Sequence, residues 1–280
     1  MAEITARMVM ALRQKTGAKM MDAKRALVEA DGDEEKAISL LRERGLADAS
    51  KRAHRATAEG AIAAAQNDAH SAAALIEVNC ETDFVAKTDQ FKAIAADLAQ
   101  WALVQTAETV GTDDLPADRG AEIQQAIAKT GENIQFRRGI KFAGGNGVVE
   151  YYIHLGGKIG VLVQVGGANN DQVRALAKDL AMQVAAASPE YLTREDVPAD
   201  IVEREMEIYR TQARNEGKKE EFLDRIAAGR LEKFYKDNVL IEQLFIKDPD
   251  KAVKTLVAEV AKTVGAELTV KRFVRYQLGQ

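Results

Sequence analysis

Cysteine is almost absent: Cys80 stands alone among 280 residues, so the chain can close no internal disulfide. Histidine is nearly as scarce, and His54, His70 and His154 are too scattered to form, with one thiol, a Cys/His spacing suited to zinc. No apolar run approaches the ~20 residues needed to cross a bilayer. The N-terminus passes directly into an amphipathic pattern, and a soluble, cytoplasmic protein is expected. Excess positive charge is missing too. With 39 Lys and Arg against 43 Asp and Glu, the net charge of -4 gives no electrostatic reason for nucleic-acid binding, which needs clustered cations to neutralise phosphates. Phosphate-cradling loops are lacking. Gly144-Gly145-Asn146-Gly147 and Gly166-Gly167-Ala168-Asn169 have no following Lys-Ser/Thr and read as hairpin or strand-end turns. Covalent catalysis has little to work with. Cys80, Asp83 and His154 are the only set that could supply nucleophile, base and orienter, and Cys80 reads more simply as a small buried residue at a strand end. No enzyme activity and no cofactor are expected.

What is present, 46% hydrophobic and 29% charged residues, suffices for two or three compact units with real cores. Thr5 can cap a helix that turns Val9 and Leu12 inward and breaks at Gly17. A second helix carries Met21, Ala26 and Leu27 to Gly32, and Asp33 opens a third with Ile38 and Leu41, closed by Gly45. This makes a three-helix module over residues 1–46. Met20 and Met21 are adjacent and diverge by about 100° at a helix start, so both cannot be core. Either one is core and the other incidental surface, or the two form an adaptable contact patch of unbranched thioethers. Residues 47–58 lack an apolar stripe and carry a local basic cluster. Without interleaved aromatics for base stacking they read as a solvated linker or a short exposed helix.

From Glu59 onward the chain is internally duplicated. Ile94-Ala95-Ala96-Asp97-Leu98-Ala99-Gln100 recurs as Leu176-Ala177-Lys178-Asp179-Leu180-Ala181-Met182, each after an apolar strand, Leu75–Val78 and Val161–Val165. Ala128-Lys129-Thr130 followed by Ile134–Arg138 recurs as Ala261-Lys262-Thr263 followed by Leu268–Arg272. Each copy reads as hairpin, helix, helix, strand, and the expected fold is α+β: two subdomains, 59–143 and 144–280, each a small antiparallel sheet backed by helices on one face. The second copy holds an insertion at about 198–238. Val202, Met206, Tyr209 and Ala213, then Leu223, Ala227, Leu231 and Phe234, space an antiparallel, coiled-coil-like helical hairpin about Gly217.

The chain is organised around Leu75–Lys87, which starts as a strand and then breaks into a loop with Asp83 beside Phe84. Such an aromatic either folds back on its own domain or serves as a wedge for a partner. Val78 to Asp97 spans 19 positions, against 14 from Val165 to Asp179, so the first copy carries five extra residues where Asp83 and Phe84 stand. A fold that tolerates the shorter connection does not need the longer one to fold. This favours function.

Asn79-Cys80-Glu81-Thr82-Asp83-Phe84-Val85-Ala86-Lys87 resembles a signature of the elongation factor Ts family, bacterial guanine-nucleotide exchange factors for elongation factor Tu. Leu12–Lys24, Gly131-Glu132-Asn133-Ile134 and Ile153–Val161 are similar to further motifs of that family, in its order. The resemblance implies a ubiquitin-associated-like N-terminal module and elongation factor Tu as partner, with no direct nucleotide, nucleic-acid or membrane binding. Carried over by position, Thr82, Asp83, Phe84 and Val85 match the segment that intrudes beside the partner's magnesium site. Arg13, Met20 and Met21 match residues that grip its nucleotide domain, and His154 falls in a segment facing another domain. After Leu278 only Gly279 and Gln280 follow, whereas some family members continue into a further helical module. The alternative is a passive scaffold, joining partners through its N-terminal module and helical hairpin, and such a protein would tolerate Phe84→Ala.

Overall fold

The computed structural model describes residues 3–280. Thr5 caps α1 (Ala6–Thr16) by accepting the Met8 N–H at 3.3 Å, and Gly17 ends it in the left-handed region at φ 69°. Then α2 (Met20–Glu29) turns Ala23, Ala26 and Leu27 onto Val9, Leu12 and Ala37, the last from α3 (Glu34–Arg52). The stop expected at Gly45 does not occur, since α3 runs through it to Arg52 and makes residues 47–52 helical. Gly45 serves packing instead. A Cβ there would stand 3.3 Å from the Ala128 Cβ of a downstream helix, so the missing side chain lets two helices approach closely. Neither methionine enters the small core: Met20 is 42% exposed and Met21 63%. Met20 precedes the buried stretch by a turn, and Met21 is rotated off its face.

The first sheet is built from β1 (Glu59–Gln66) and β2 (Ala72–Cys80), followed by α4 (Asp83–Ala86), α5 (Asp89–Val104), β3 (Thr109–Val110), α6 (Ala117–Thr130) and β4 (Ile134–Ala143). Its order is β1-β2-β4-β3, all antiparallel. Ala74, Ile76, Val78 and Cys80 of β2 face Phe91, Leu98, Ile123 and Ile127 of the helices. Ala73 and Leu75 face the opposite way, into a second core. A central strand buried on both faces explains the unbroken apolar run that begins β2.

The second sheet comprises β5 (Gly147–His154), β6 (Ile159–Gly166) and, much later, β9 (Thr269–Gln277), in the order β5-β6-β9. Between β6 and β9 come α7 (Asp171–Ala187), α8 (Ala199–Asn215), α9 (Leu223–Asn238), the short pair β7 (Leu244–Phe245) and β8 (Asp248–Ala252), and α10 (Val253–Val264). Ion pairs join α8 to α9, Arg210 to Asp224 at 2.6 Å and Arg230 to Glu216 at 2.7 Å, and Ala213, Leu223 and Ala227 are buried. The repeat extends to an irregularity. A β-bulge falls between Glu77 and Val78 where β2 meets β4, and another between Gln164 and Val165 where β6 meets β9, positions that the duplication makes equivalent.

Helices cover one face of each sheet, and the other faces cover each other. Ile62, Ala73, Leu75 and Phe142 of the first sheet interlock with Val149, Leu162 and Tyr276 of the second. Gly160 lies at the closest approach, where a Cβ would stand 2.7 Å from Leu75 Cδ1 and nearer still to Ile62 Cγ2.

Candidate partner-binding site

At the end of β2 the chain leaves the core through Cys80, which is fully buried. Its thiol donates to the Thr82 carbonyl at 3.1 Å, and burial, with the Glu132 charge adding, pushes its pKa up to about 12. Such a thiol stays protonated and is no nucleophile.

Where a loop was expected, Asp83–Ala86 form one helical turn, α4. Thr82 caps it: its hydroxyl accepts the Val85 N–H at 3.4 Å and its carbonyl the Ala86 N–H at 3.2 Å. Thr88 closes the turn by donating to the Val85 carbonyl at 2.8 Å and caps α5 by accepting the Phe91 N–H at 3.2 Å. Each Thr stands three residues before the N–H it accepts, a capping spacing legible in the sequence. The turn is two-sided. Val85 and Ala86 pack on the first core, whereas Phe84 is 79% exposed. Asp83 pairs with Lys87 at 2.6 Å, and that hydrogen bond, with the charges of Lys87 and Lys158, holds its carboxyl below the usual range.

The underside of α4 is fastened from a distant part of the sequence. Glu132 accepts the Thr82 N–H at 3.0 Å and its hydroxyl at 2.6 Å, while the Asn133 N–H donates to Glu81 at 2.7 Å. Asn133, only 2% exposed, also donates through its side chain to the carbonyls of Ala53 and Arg55, at 3.3 and 3.0 Å. No role for either residue follows from sequence spacing. The available signal was the Gly131-Glu132-Asn133-Ile134 motif, an acid and an amide directly behind the glycine stop of α6, to which the sequence assigned no role.

His154 ends β5 with its Nδ1 2.9 Å from the Tyr152 hydroxyl. Leu155 follows at φ 50° and 67% exposed. Lys158, beyond that turn, is ion-paired with Glu59, whose strand position is opposite Cys80, so the turn shares one end of the molecule with α4. Arg13, exposed on α1, belongs with Met20 and Met21 to the N-terminal helices. Cys80, Asp83 and His154 are thus each engaged elsewhere, with Thr82, Lys87 and Tyr152. Among the described residues no group of three His, Cys, Asp or Glu is placed to hold a metal, and no helix is long and apolar enough to cross a membrane.

The family model for elongation factor TS matches residues 81–280. Elongation factor Ts of Clostridium botulinum strain Eklund 17B is 47% identical over 285 residues, covering 99% of this chain and 93% of that protein. The corresponding proteins of Clostridioides difficile strain 630 and Symbiobacterium thermophilum are 46% and 45% identical over 286 residues, covering all of this chain and 94% and 93% of theirs. With the mixed helix and antiparallel-sheet architecture, these likenesses place the chain in the elongation factor Ts family of translation elongation factors.

Proposed function

We propose that this chain binds elongation factor Tu in the cytoplasm and promotes GDP release, with Phe84 as the wedge. The observation that carries this reading is a large apolar ring, 79% exposed, on a turn that Thr82 caps and whose Val85 and Ala86 pack on the first core. Water disfavours an exposed phenyl group, and a ring held outward gains its burial energy only from a partner. A GTPase holds its nucleotide partly through a magnesium ion that bridges phosphates and side chains. Phe84 entering beside that ion, with Asp83 next to it and Thr82 and Val85 fixing the turn, displaces the supporting loop and weakens phosphate binding. Coupling is reciprocal: nucleotide lowers affinity for this chain by the factor through which this chain lowers affinity for nucleotide.

In this reading residues 1–46 act as a ubiquitin-associated-like module that grips the partner's nucleotide domain through Arg13, Met20 and Met21. The body comprises subdomains 59–143 and 144–280, and His154 faces another domain of the partner. The helical hairpin at about 198–238 is an appendage to the second subdomain. The chain binds no nucleotide itself and performs no covalent chemistry.

Release of labelled GDP from elongation factor Tu tests the proposal. Phe84→Ala should still bind nucleotide-free partner but release GDP about ten-fold more slowly at saturation, the equivalent of losing one buried aromatic contact. The gap should narrow as magnesium is chelated. A defect equal at every magnesium concentration removes the ion from the mechanism, and the absence of a defect removes the wedge.

A further inference from the structure

We propose that Glu132 is the positioning residue of the wedge, holding α4 in the conformation that points Phe84 outward; this rests on the exchange reading above. Four residues make too short a helix to hold itself, because a first turn fixes several dihedrals for very few hydrogen bonds. The turn therefore depends on its cap. Thr82 has one hydroxyl proton and gives it to Glu132 at 2.6 Å, which leaves an oxygen lone pair for the Val85 N–H. The second carboxylate oxygen takes the Thr82 N–H at 3.0 Å, so both Thr82 donors are committed to one anion and the hydroxyl cannot rotate away.

The clamp is reciprocal across two chain segments: Glu132 receives from Thr82, and Glu81 receives from the Asn133 N–H. The segment holding Glu132 is itself anchored. The Glu132 N–H donates to Thr130 Oγ1 at 3.2 Å, and Asn133 reaches the chain behind α3 at Ala53 and Arg55. It also lies beside the connection between α1 and α2, because the Lys19 ammonium is 3.5 Å from where a Cβ of Gly131 would stand. One short connection thus touches the α4 cap, the segment after α3 and the residue preceding Met20. Sheet closure does not depend on it: β2 and β4 pair from Ala72↔Ala143 to Cys80↔Ile134 with one bulge between Glu77 and Val78, and Ile76, Val78 and Cys80 are buried under α5. Loss of Glu132 frees the turn while the sheet stays closed. A freed Phe84 ring then collapses onto nearby apolar surface, and straightening it again is charged against exchange.

The test combines a double-mutant cycle with amide exchange. Saturated GDP release from elongation factor Tu is measured with wild type, Glu132→Ala, Phe84→Ala and the double variant. Glu132→Ala should slow release about ten-fold while the half-saturating concentration moves less than about three-fold, and the double variant should match Phe84→Ala alone. Glu132→Gln keeps an acceptor for the Thr82 N–H and should recover most of the rate. Multiplying defects in the double variant, or a wild-type rate in Glu132→Ala while Phe84→Ala is slow, overturn the proposal. Amide exchange on the free chain decides independently of the partner. In Glu132→Ala the Val85 and Ala86 amides should exchange about ten-fold faster, with Ile76 and Val78 unchanged. Unchanged Val85 and Ala86, or equal acceleration at Ile76 and Val78, also overturn it. If Phe84→Ala proves silent in release, the wedge reading fails, and the amide arm alone rules on Glu132.

Discussion

The guanidinium of Arg138 on β4 lies 4.1 Å from the ring centroid of Tyr276 on β9, and its repeat equivalent on β9, Arg272, lies 4.0 Å from the ring of Phe142 on β4. Each sheet therefore hands the other an arginine and receives it on an aromatic face. Each arginine is oriented by its neighbouring strand, Arg138 by Glu77 and Arg272 by Gln164, both at 2.8 Å. The backbone follows the same exchange. Ile62 donates to Gly157 and Val149 to His70, both at 2.8 Å, and these four also occupy equivalent positions. The two copies meet as near-twins about an approximate two-fold axis.

That meeting leaves no room for a side chain at Gly160. Gly160→Ala should cost about 1–3 kcal/mol, because Ile62 and Leu75 are buried and cannot swing aside without strain. Combining it with Ile62→Ala should cost less than the sum of the two single changes, as measured by urea unfolding. Strict additivity would show that the sheets can part.

Glu77 breaks the two-fold equivalence by its charge. Burial opposes its ionisation, but hydrogen bonds from the Gly279 N–H, Asn79 and Arg138 outweigh this and hold its carboxyl below the ordinary 4.5. A carboxylate with a depressed folded pKa stabilises the native state above its unfolded value and loses that contribution as pH falls through the folded one. Glu77→Gln should therefore cost about 1–3 kcal/mol near neutrality and reduce the loss of stability on acidification. Equal acid slopes in the two proteins would remove Glu77 as the cause.

Native Cys80 should resist alkylation. Its proton is held up to about pH 12 in the folded chain, so iodoacetamide at pH 8 should label it only through transient opening and rapidly in urea. Mass spectrometry of the labelled protein reads this directly. Labelling of the native chain at the rate of a free thiol would contradict the burial.

Replacing Met20 and Met21 together with Ser should separate adhesion from exchange. Both are exposed, so the melting temperature should move by no more than about 0.5 kcal/mol would produce. If they supply apolar contact area worth about 1–3 kcal/mol each when well buried, half-saturation in GDP release should shift to higher concentration with the saturated rate retained. A collapsed saturated rate with unchanged binding would refute that assignment.

Much of this fold was legible because its signals are local or repeated. The equivalence of Ile94–Gln100 and Leu176–Met182 placed α5 and α7, and the capping Thr5 with Val9 and Leu12 turned inward placed α1. Gly45 misled because a glycine inside a helix can serve close approach as well as termination. β3 and β7 are two residues each and leave no period to read. At the candidate site the capping Thr82 was legible in principle, through its distance to Val85. Its hold by Glu132, 50 positions away, was not, because side-chain pairing across the fold leaves no mark on spacing.

The long interval between β6 and β9 imposes an order of assembly. As the chain is synthesised, all strands of the first sheet and the turn bearing Phe84 are available once β4 has emerged, while the second sheet still lacks its third strand. During that interval the layer opposing Ile62, Leu75 and Phe142 is incomplete, with Val149 and Leu162 made and Tyr276 still to come, and the nascent chain carries part of a sticky face that the finished protein conceals. Pulse-labelled hydrogen exchange during refolding should accordingly protect Ile76 and Val78 before Leu162 and Val163, and the α8–α9 pair, made in between, gives β9 the longest search in the molecule.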